Sequence, residues 1–247
     1  MSGKKRLRIF AGPNGSGKST ITEKIRGLVK LGVYVNADQI KICVEQTGRL
    51  NFTEYELQLN YPDLIRFISH HSLFTKCSIR CLETALNADG NSLLFTDRKA
   101  TGGYMVLIIS EYIRLRLLEQ SDRFTFETVL SDESKLEFMR MAKDAGFKVY
   151  LYYVALASPE MNVARVHSRV LQGGHDVPKR KIVQRYERTM SNLFEAMRIA
   201  DNVYLFDNSY QDPVLIAQKE NGILQSNKEY MPQWYKTYVL DKLPKTE

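Results

Sequence analysis

A lysine and a hydroxyl that follow a glycine-rich turn can hold a phosphate and the metal ion that accompanies it. Gly12-Pro-Asn-Gly-Ser-Gly-Lys-Ser-Thr20 has that form: Gly, four residues, Gly-Lys, then Ser. Gly12, Gly15 and Gly17 let the backbone turn its N–H groups inward around a chain of phosphates, Lys18 reaches the outer phosphates, and the Ser19 hydroxyl suits Mg²⁺. The predicted nucleotide-binding residues are therefore Gly12, Pro13, Asn14, Gly15, Ser16, Gly17, Lys18, Ser19 and Thr20. A nucleoside triphosphate with Mg²⁺ is the expected ligand.

Two carboxylates stand where such a nucleotide could be used. Val33-Tyr-Val35 reads as a short strand that delivers Asp38 just past its C-terminal end, the edge at which open parallel sheets bind ligands. Asp38 could take the proton of a hydroxyl attacking the γ-phosphoryl; the competing role is a cap for a helix beginning at Gln39. Phe124-Thr-Phe-Glu127 is a further strand ending in an acid. Glu127 could bind a substrate hydroxyl or help to hold the metal's water shell, or else serve as a cap or a paired surface acid.

Arginines supply the complementary charge, since phosphoryl transfer spreads negative charge over the transferring oxygens. Arg165 and Arg169 lie four apart in a predicted helix starting at Ser158-Pro-Glu160, and a second helix from about Lys179 to Ile199 carries Arg185 and Arg188. Gln172-Gly-Gly-His-Asp-Val-Pro178 separates the two, so residues 158–199 read as a hinged lid, with His175 in the hinge as a further contact or a structural hydrogen-bonding group. Any single arginine could equally be solvated.

The elements that position these groups alternate. Arg6–Ala11 reads as a buried strand, Lys18–Val29 as the helix the loop opens, and Lys148–Ala155 as a strand buried on both faces. An amphipathic helix over about Ser131–Ala145, another over Tyr104–Gln120, a last strand at Asn202–Phe206 and a docking helix around Trp234 complete the pattern. The fold class is α/β, a doubly wound and mostly parallel sheet of the P-loop NTPase kinase type. The 247 residues read as a single domain, with 45–100 a helical insertion next to the acceptor site.

Composition narrows the classes. With 44% hydrophobic and 26% charged residues the chain is an ordinary globular one. Its net charge of +7 is dispersed rather than gathered in a stripe, and aromatic residues are not interleaved with basic ones, so a nucleic-acid partner is disfavoured. No apolar run approaches the roughly 20 residues of a membrane span. Cys43, Cys77 and Cys81 form no zinc pattern, and an odd number argues against a disulfide framework. Buried thiols on one helical face are expected at Cys77 and Cys81, and a reducing cytoplasm fits. The absence of an ATPase signature helix such as Leu-Ser-Gly-Gly-Gln ranks a kinase above a motor. The alternatives are an ATP-binding interaction protein and a nucleic-acid end kinase.

Laid out in order, Ala11 to Thr20, Asn36-Ala-Asp38, Phe126-Glu-Thr-Val-Leu-Ser131, Lys148 to Val154, Asn162 to Arg169, Gly173-Gly-His-Asp-Val-Pro178, Arg185-Tyr186 and Asp207-Asn-Ser209 resemble the zeta toxin family of phosphate-loop kinases. The resemblance implies transfer of the γ-phosphoryl group from ATP or GTP to a hydroxyl of UDP-N-acetylglucosamine, and a partner antitoxin that blocks the nucleotide site. It also implies Asp38 as catalytic base, Lys18 and Ser19 as phosphate and Mg²⁺ contacts, and Glu127 with Thr128 as substrate contacts. Arg169 and Arg185 match the lid arginines best, with Arg165 and Arg188 as alternates. The Gly-Gly-His-Asp-Val-Pro segment is similar to a chromosomal branch of the family, and the interval between Asp38 and Glu127 is longer than the family's pattern.

Overall fold

The structure is a computed structural model that describes residues 5–79, 81–174 and 176–244. In the first half, strand β1 (Arg6–Ala11) leads to helix α1 (Lys18–Arg26), then β2 (Val33–Val35), α2 (Ala37–Thr47), β3 (Arg49–Asn51) and α3 (Tyr61–His70). Next come α4 (Leu82–Ala85), the hairpin β4 (Leu86–Asp89) and β5 (Ser92–Phe95), α5 (Gly103–Gln120) and β6 (Arg123–Thr128). The second half holds α6 (Ser134–Asp144), β7 (Lys148–Ala155), α7 (Pro159–Leu171), α8 (Lys179–Ile199) and β8 (Asn202–Asp207). It closes with β9 (Val214–Glu220), β10 (Ile223–Ser226) and α9 (Gln233–Tyr238). These elements form two compact units, residues 32–126 and the remainder, and the class is α/β with a mostly parallel main sheet.

In the unit built from both chain ends, β1 pairs in parallel with β7, and β7 with β8. Phe10, Tyr152 and Tyr204 occupy directly paired positions on these three strands. Their rings stack at centroid distances of 4.8 Å and 5.0 Å, and Ile21 of α1 packs on the same cluster. Paired Ile9, Leu151 and Val203 are wholly buried on the opposite face. Burial on both sides explains why β7 reads as a continuous apolar run instead of alternating.

The chain does not end its sheet at Phe206. β9 and β10 continue it as antiparallel strands, joined at Asn221-Gly222, where both residues have positive φ (51° and 79°). That is the Asn-Gly hairpin turn, whose mirror-image geometry matches strand twist. Beyond it, α9 buries Trp234, and its indole Nε1 donates to Asp207 Oδ2 at 2.5 Å. Asp207 is 1% exposed and its other oxygen accepts from the Ser209 amide, so the aromatic tail docks through a hydrogen bond as well as by apolar burial.

In the other unit β2 pairs in parallel with β6, whose last two residues belong to the first unit. Residues 45–100, expected to be helical, include a three-stranded antiparallel sheet in the order β3-β5-β4. α5 is helical as predicted but not amphipathic: ten of its eighteen residues are buried, including adjacent pairs such as Ile108 and Ile109. Arg114 is among them, its guanidinium 5.1 Å from the centroid of the Phe126 ring. Burial lowers its pKa to about 10 against the opposing pull of Glu111. Cys77 and Cys81 do not share a helix; Cys77 follows a short turn, Cys81 precedes α4 and is exposed, and all three cysteines are free thiols. Among the described residues no helix is long and apolar enough to cross a membrane.

Trp234→Phe keeps an aromatic ring but deletes the N–H that satisfies a buried carboxylate oxygen, together with part of the buried indole. The expected loss is about 1–3 kcal/mol, read as a lower urea midpoint by circular dichroism, with the m-value unchanged.

Candidate functional site

β1 ends at Ala11, and the chain turns at once through Gly12, which has φ 142°. A Cβ there would sit 2.0 Å from the Val154 carbonyl oxygen, so β7 presses directly on the turn and only glycine fits. Gly17, with φ 92°, opens α1 without a side-chain cap, and a Cβ on it would lie 2.1 Å from Asn208 Nδ2. The first amide groups of α1 thus form the electropositive end of a helix dipole.

Two asparagines from distant elements hold the loop. Asn162 of α7 donates from Nδ2 to the Asn14 carbonyl at 2.6 Å, and Asn208 donates from Nδ2 to the Ser16 carbonyl at 2.8 Å. A planar trans peptide points its C=O and the following N–H in opposite directions. Drawing the carbonyls of residues 14 and 16 toward the asparagines therefore turns the Gly15 and Gly17 N–H groups to the other side, as an anion cradle requires. Asn208 is itself fixed: its amide donates to the Ala155 carbonyl at 2.9 Å, and its own carbonyl accepts from Arg165 Nη2 at 2.6 Å. Both asparagines fall within motifs visible in the sequence, but residue type alone does not assign either of them this contact.

Lys18 is nearly buried. Its Nζ donates to the Gly12 and Pro13 carbonyls at 3.0 and 3.1 Å and lies 3.9 Å from Glu127 Oε1. The structure thus brings the predicted lysine and the predicted acid of β6 together. Thr128 follows, its Oγ1 accepting from the Leu130 amide at 3.2 Å. Ser16 Oγ, Asn14 Oδ1 and Asn162 Oδ1 are buried polar atoms without a hydrogen-bond partner. An orphaned hydroxyl in such a cradle fits a phosphate oxygen. Ser19 and Thr20 are exposed at the start of α1.

Asp38 lies in the other unit, exposed in the first turn of α2. The cap of that helix is Asn36, whose Oδ1 accepts from the Asp38 and Gln39 amides, so the capping role weighed for Asp38 falls to its neighbour. Of the four arginines, Arg165 is the one held at the loop, with Nη1 4.0 Å from where a Gly17 Cβ would be. Arg169 and Arg188 are exposed on α7 and α8, and Arg185 is half-buried. α8 buries Ile182, Tyr186, Met190, Leu193 and Ala196, and the Tyr186 hydroxyl donates to the Leu156 carbonyl at 3.0 Å. His175 lies outside the described residues. No cluster of three or more His, Cys, Asp or Glu able to hold a metal occurs among the described residues.

No known protein-family profile matches the chain. An uncharacterised protein of Haemophilus influenzae is 36% identical over 69 residues, 28% of this chain and 49% of that protein, so the match spans about half of the relative's length. Among solved structures, the AvrRxo1-ORF1:-ORF2 complex with ATP superposes at a TM-score of 0.62 with 14% identity, over all of this chain and 67% of that one. The PezAT chromosomal toxin-antitoxin system of Streptococcus pneumoniae superposes at 0.51 with 14% identity, over 98% of this chain and 86% of that one. The likeness is one of fold: the chain has a zeta-toxin-like kinase fold.

Asn208→Ala removes the donor that holds the Ser16 carbonyl. Its expected cost is about 1–3 kcal/mol, with faster amide hydrogen exchange over residues 13–18, measured by mass spectrometry, while exchange in α6 stays as in the parent protein.

Proposed function

We propose that this chain is a kinase that transfers the γ-phosphoryl group of ATP (or GTP) to a hydroxyl of a small molecule, with UDP-N-acetylglucosamine as the acceptor that the zeta toxin resemblance implies. The observation that carries the reading is the loop from Gly12 to Thr20. Its carbonyls are drawn outward, Lys18 stands at its centre, and the Ser16 hydroxyl lacks a partner within the protein. ATP in the AvrRxo1 complex supports the same reading.

In this mechanism Lys18 exchanges its contacts with the Gly12 and Pro13 carbonyls for the outer phosphates, and the amides of Gly15 and Gly17 hold the phosphate chain. Mg²⁺, held by Ser19, would neutralise charge between the β- and γ-phosphates. The acceptor oxygen attacks the γ-phosphorus as the bond to the β–γ bridging oxygen breaks; the hydroxyl proton goes to Asp38, and the nucleoside diphosphate leaves. Asp38 receives this role from the resemblance, as do Glu127 and Thr128 that of orienting the acceptor. Arg169 and Arg185 are the proposed catalytic arginines, delivering charge to the transferring oxygens. Arg165, already bonded to Asn208, is better placed to organise the loop. Residues 45–100 flank the acceptor in this reading, residues 158–199 supply its lid, and a protein partner of the antitoxin kind would act by covering the nucleotide site.

The test is incubation of the purified protein with γ-labelled ATP, Mg²⁺ and UDP-N-acetylglucosamine, and in parallel with a pool of cell metabolites. A phosphorylated sugar nucleotide is expected, with turnover about 10²–10⁴-fold lower in Asp38→Ala and nucleotide binding lost in Lys18→Ala. Label appearing in no metabolite would refute the kinase reading; label in another metabolite alone would refute the acceptor.

A further inference from the structure

The strand-end loop that follows Glu127 is held by a helix it does not adjoin in sequence. Thr189 of α8 donates from Oγ1 to the Val129 carbonyl at 2.9 Å, and Asn192, three residues on and so on the same helix face, donates from Nδ2 to the Leu130 carbonyl at 3.0 Å. Leu130 has φ 61° and is 1% exposed. A side chain other than glycine's is strained in the left-handed region and persists there only where its surroundings fix it. Here three hydrogen bonds converge on that one turn, the third being the Leu130 amide to Thr128 Oγ1.

We propose that Thr189 and Asn192 are positioning residues that set the acceptor-binding geometry of Glu127 and Thr128, a proposal that rests on the kinase reading above. By accepting from the Leu130 amide, the Thr128 oxygen fixes its own orientation and keeps its O–H hydrogen for donation to a substrate oxygen. The Val129 carbonyl that Thr189 holds and the Leu130 amide belong to one planar peptide, so fixing the first aims the second at Thr128. Thr189 is wholly buried, and its own carbonyl accepts from the Tyr153 hydroxyl at 3.2 Å, so the clamp is tied back to β7. Arg185 stands one turn before Thr189 on the same helix. One helix thereby carries a proposed catalytic arginine a single turn from the clamp on the proposed acceptor contacts.

The test compares Thr189→Val, Thr189→Ser and Asn192→Ala with the parent protein in two measurements. The first is hydrogen exchange over residues 126–132, which needs no substrate. The second is steady-state kinetics with Mg-ATP and UDP-N-acetylglucosamine. Thr189→Val and Asn192→Ala are expected to speed exchange in that segment about tenfold. They should raise the acceptor KM about tenfold, with the KM for ATP within about twofold and Thr189→Ser restoring both. Unchanged exchange would overturn the clamp, and equal rises in both KM values would overturn its acceptor-side role. Should Thr189→Val fail to fold, half-buried Asn192 carries the same comparison. A parent protein that transfers nothing to the sugar nucleotide refutes that acceptor, and the exchange measurement then decides the clamp by itself.

Discussion

The peptide plane is the constraint from which this site is built. For a loop to offer N–H groups to an anion, its carbonyls must go elsewhere and find donors there, because a buried carbonyl without a partner is costly. Asn162 and Asn208 are those donors. Each is in turn held by an element that otherwise has no business near the loop: α7 places the first, while β8, Arg165 and the Ala155 carbonyl place the second. The close approach of Val154 to Gly12 completes the enclosure from the strand side. Much of the chain-terminal unit can therefore be understood as support for two carbonyls.

Much of this was legible in the sequence. The loop declares itself by glycine spacing, and β1, β7, α7 and α8 by length and periodicity. The remainder was hidden for identifiable reasons. β3, β4 and β5 have three or four residues each, too few for alternation to register, although the Asp89-Gly90-Asn91 turn between two of them was visible. β9 and β10 are signalled only by an Asn-Gly turn flanked by β-forming residues. Residue type did not reveal which amide would reach which carbonyl, since the Asn162 and Asn14 partners are 148 residues apart.

Charge was harder still to read. Four arginines at helical spacing look equivalent in sequence, and the structure separates them by burial: Arg165, which holds the Asn208 carbonyl, and Arg185 are half-buried, whereas Arg169 and Arg188 are exposed. A fifth, Arg114, is buried above an aromatic ring beside Glu111, within a helix that the sequence suggested was half solvated. A guanidinium can lie in a core when its face meets a ring and its edge meets a carboxylate. Spacing alone cannot distinguish that case from a surface cation.

Trp234 is the one tryptophan of the chain, and its indole is two hydrogen bonds and one peptide link from the loop: to Asp207, along the chain to Asn208, then to Ser16. Indole emission responds to the charge and mobility of its immediate neighbours. The protein therefore carries a built-in optical probe, undiluted by any second tryptophan, whose signal is wired to the peptide that orients the Gly17 amide.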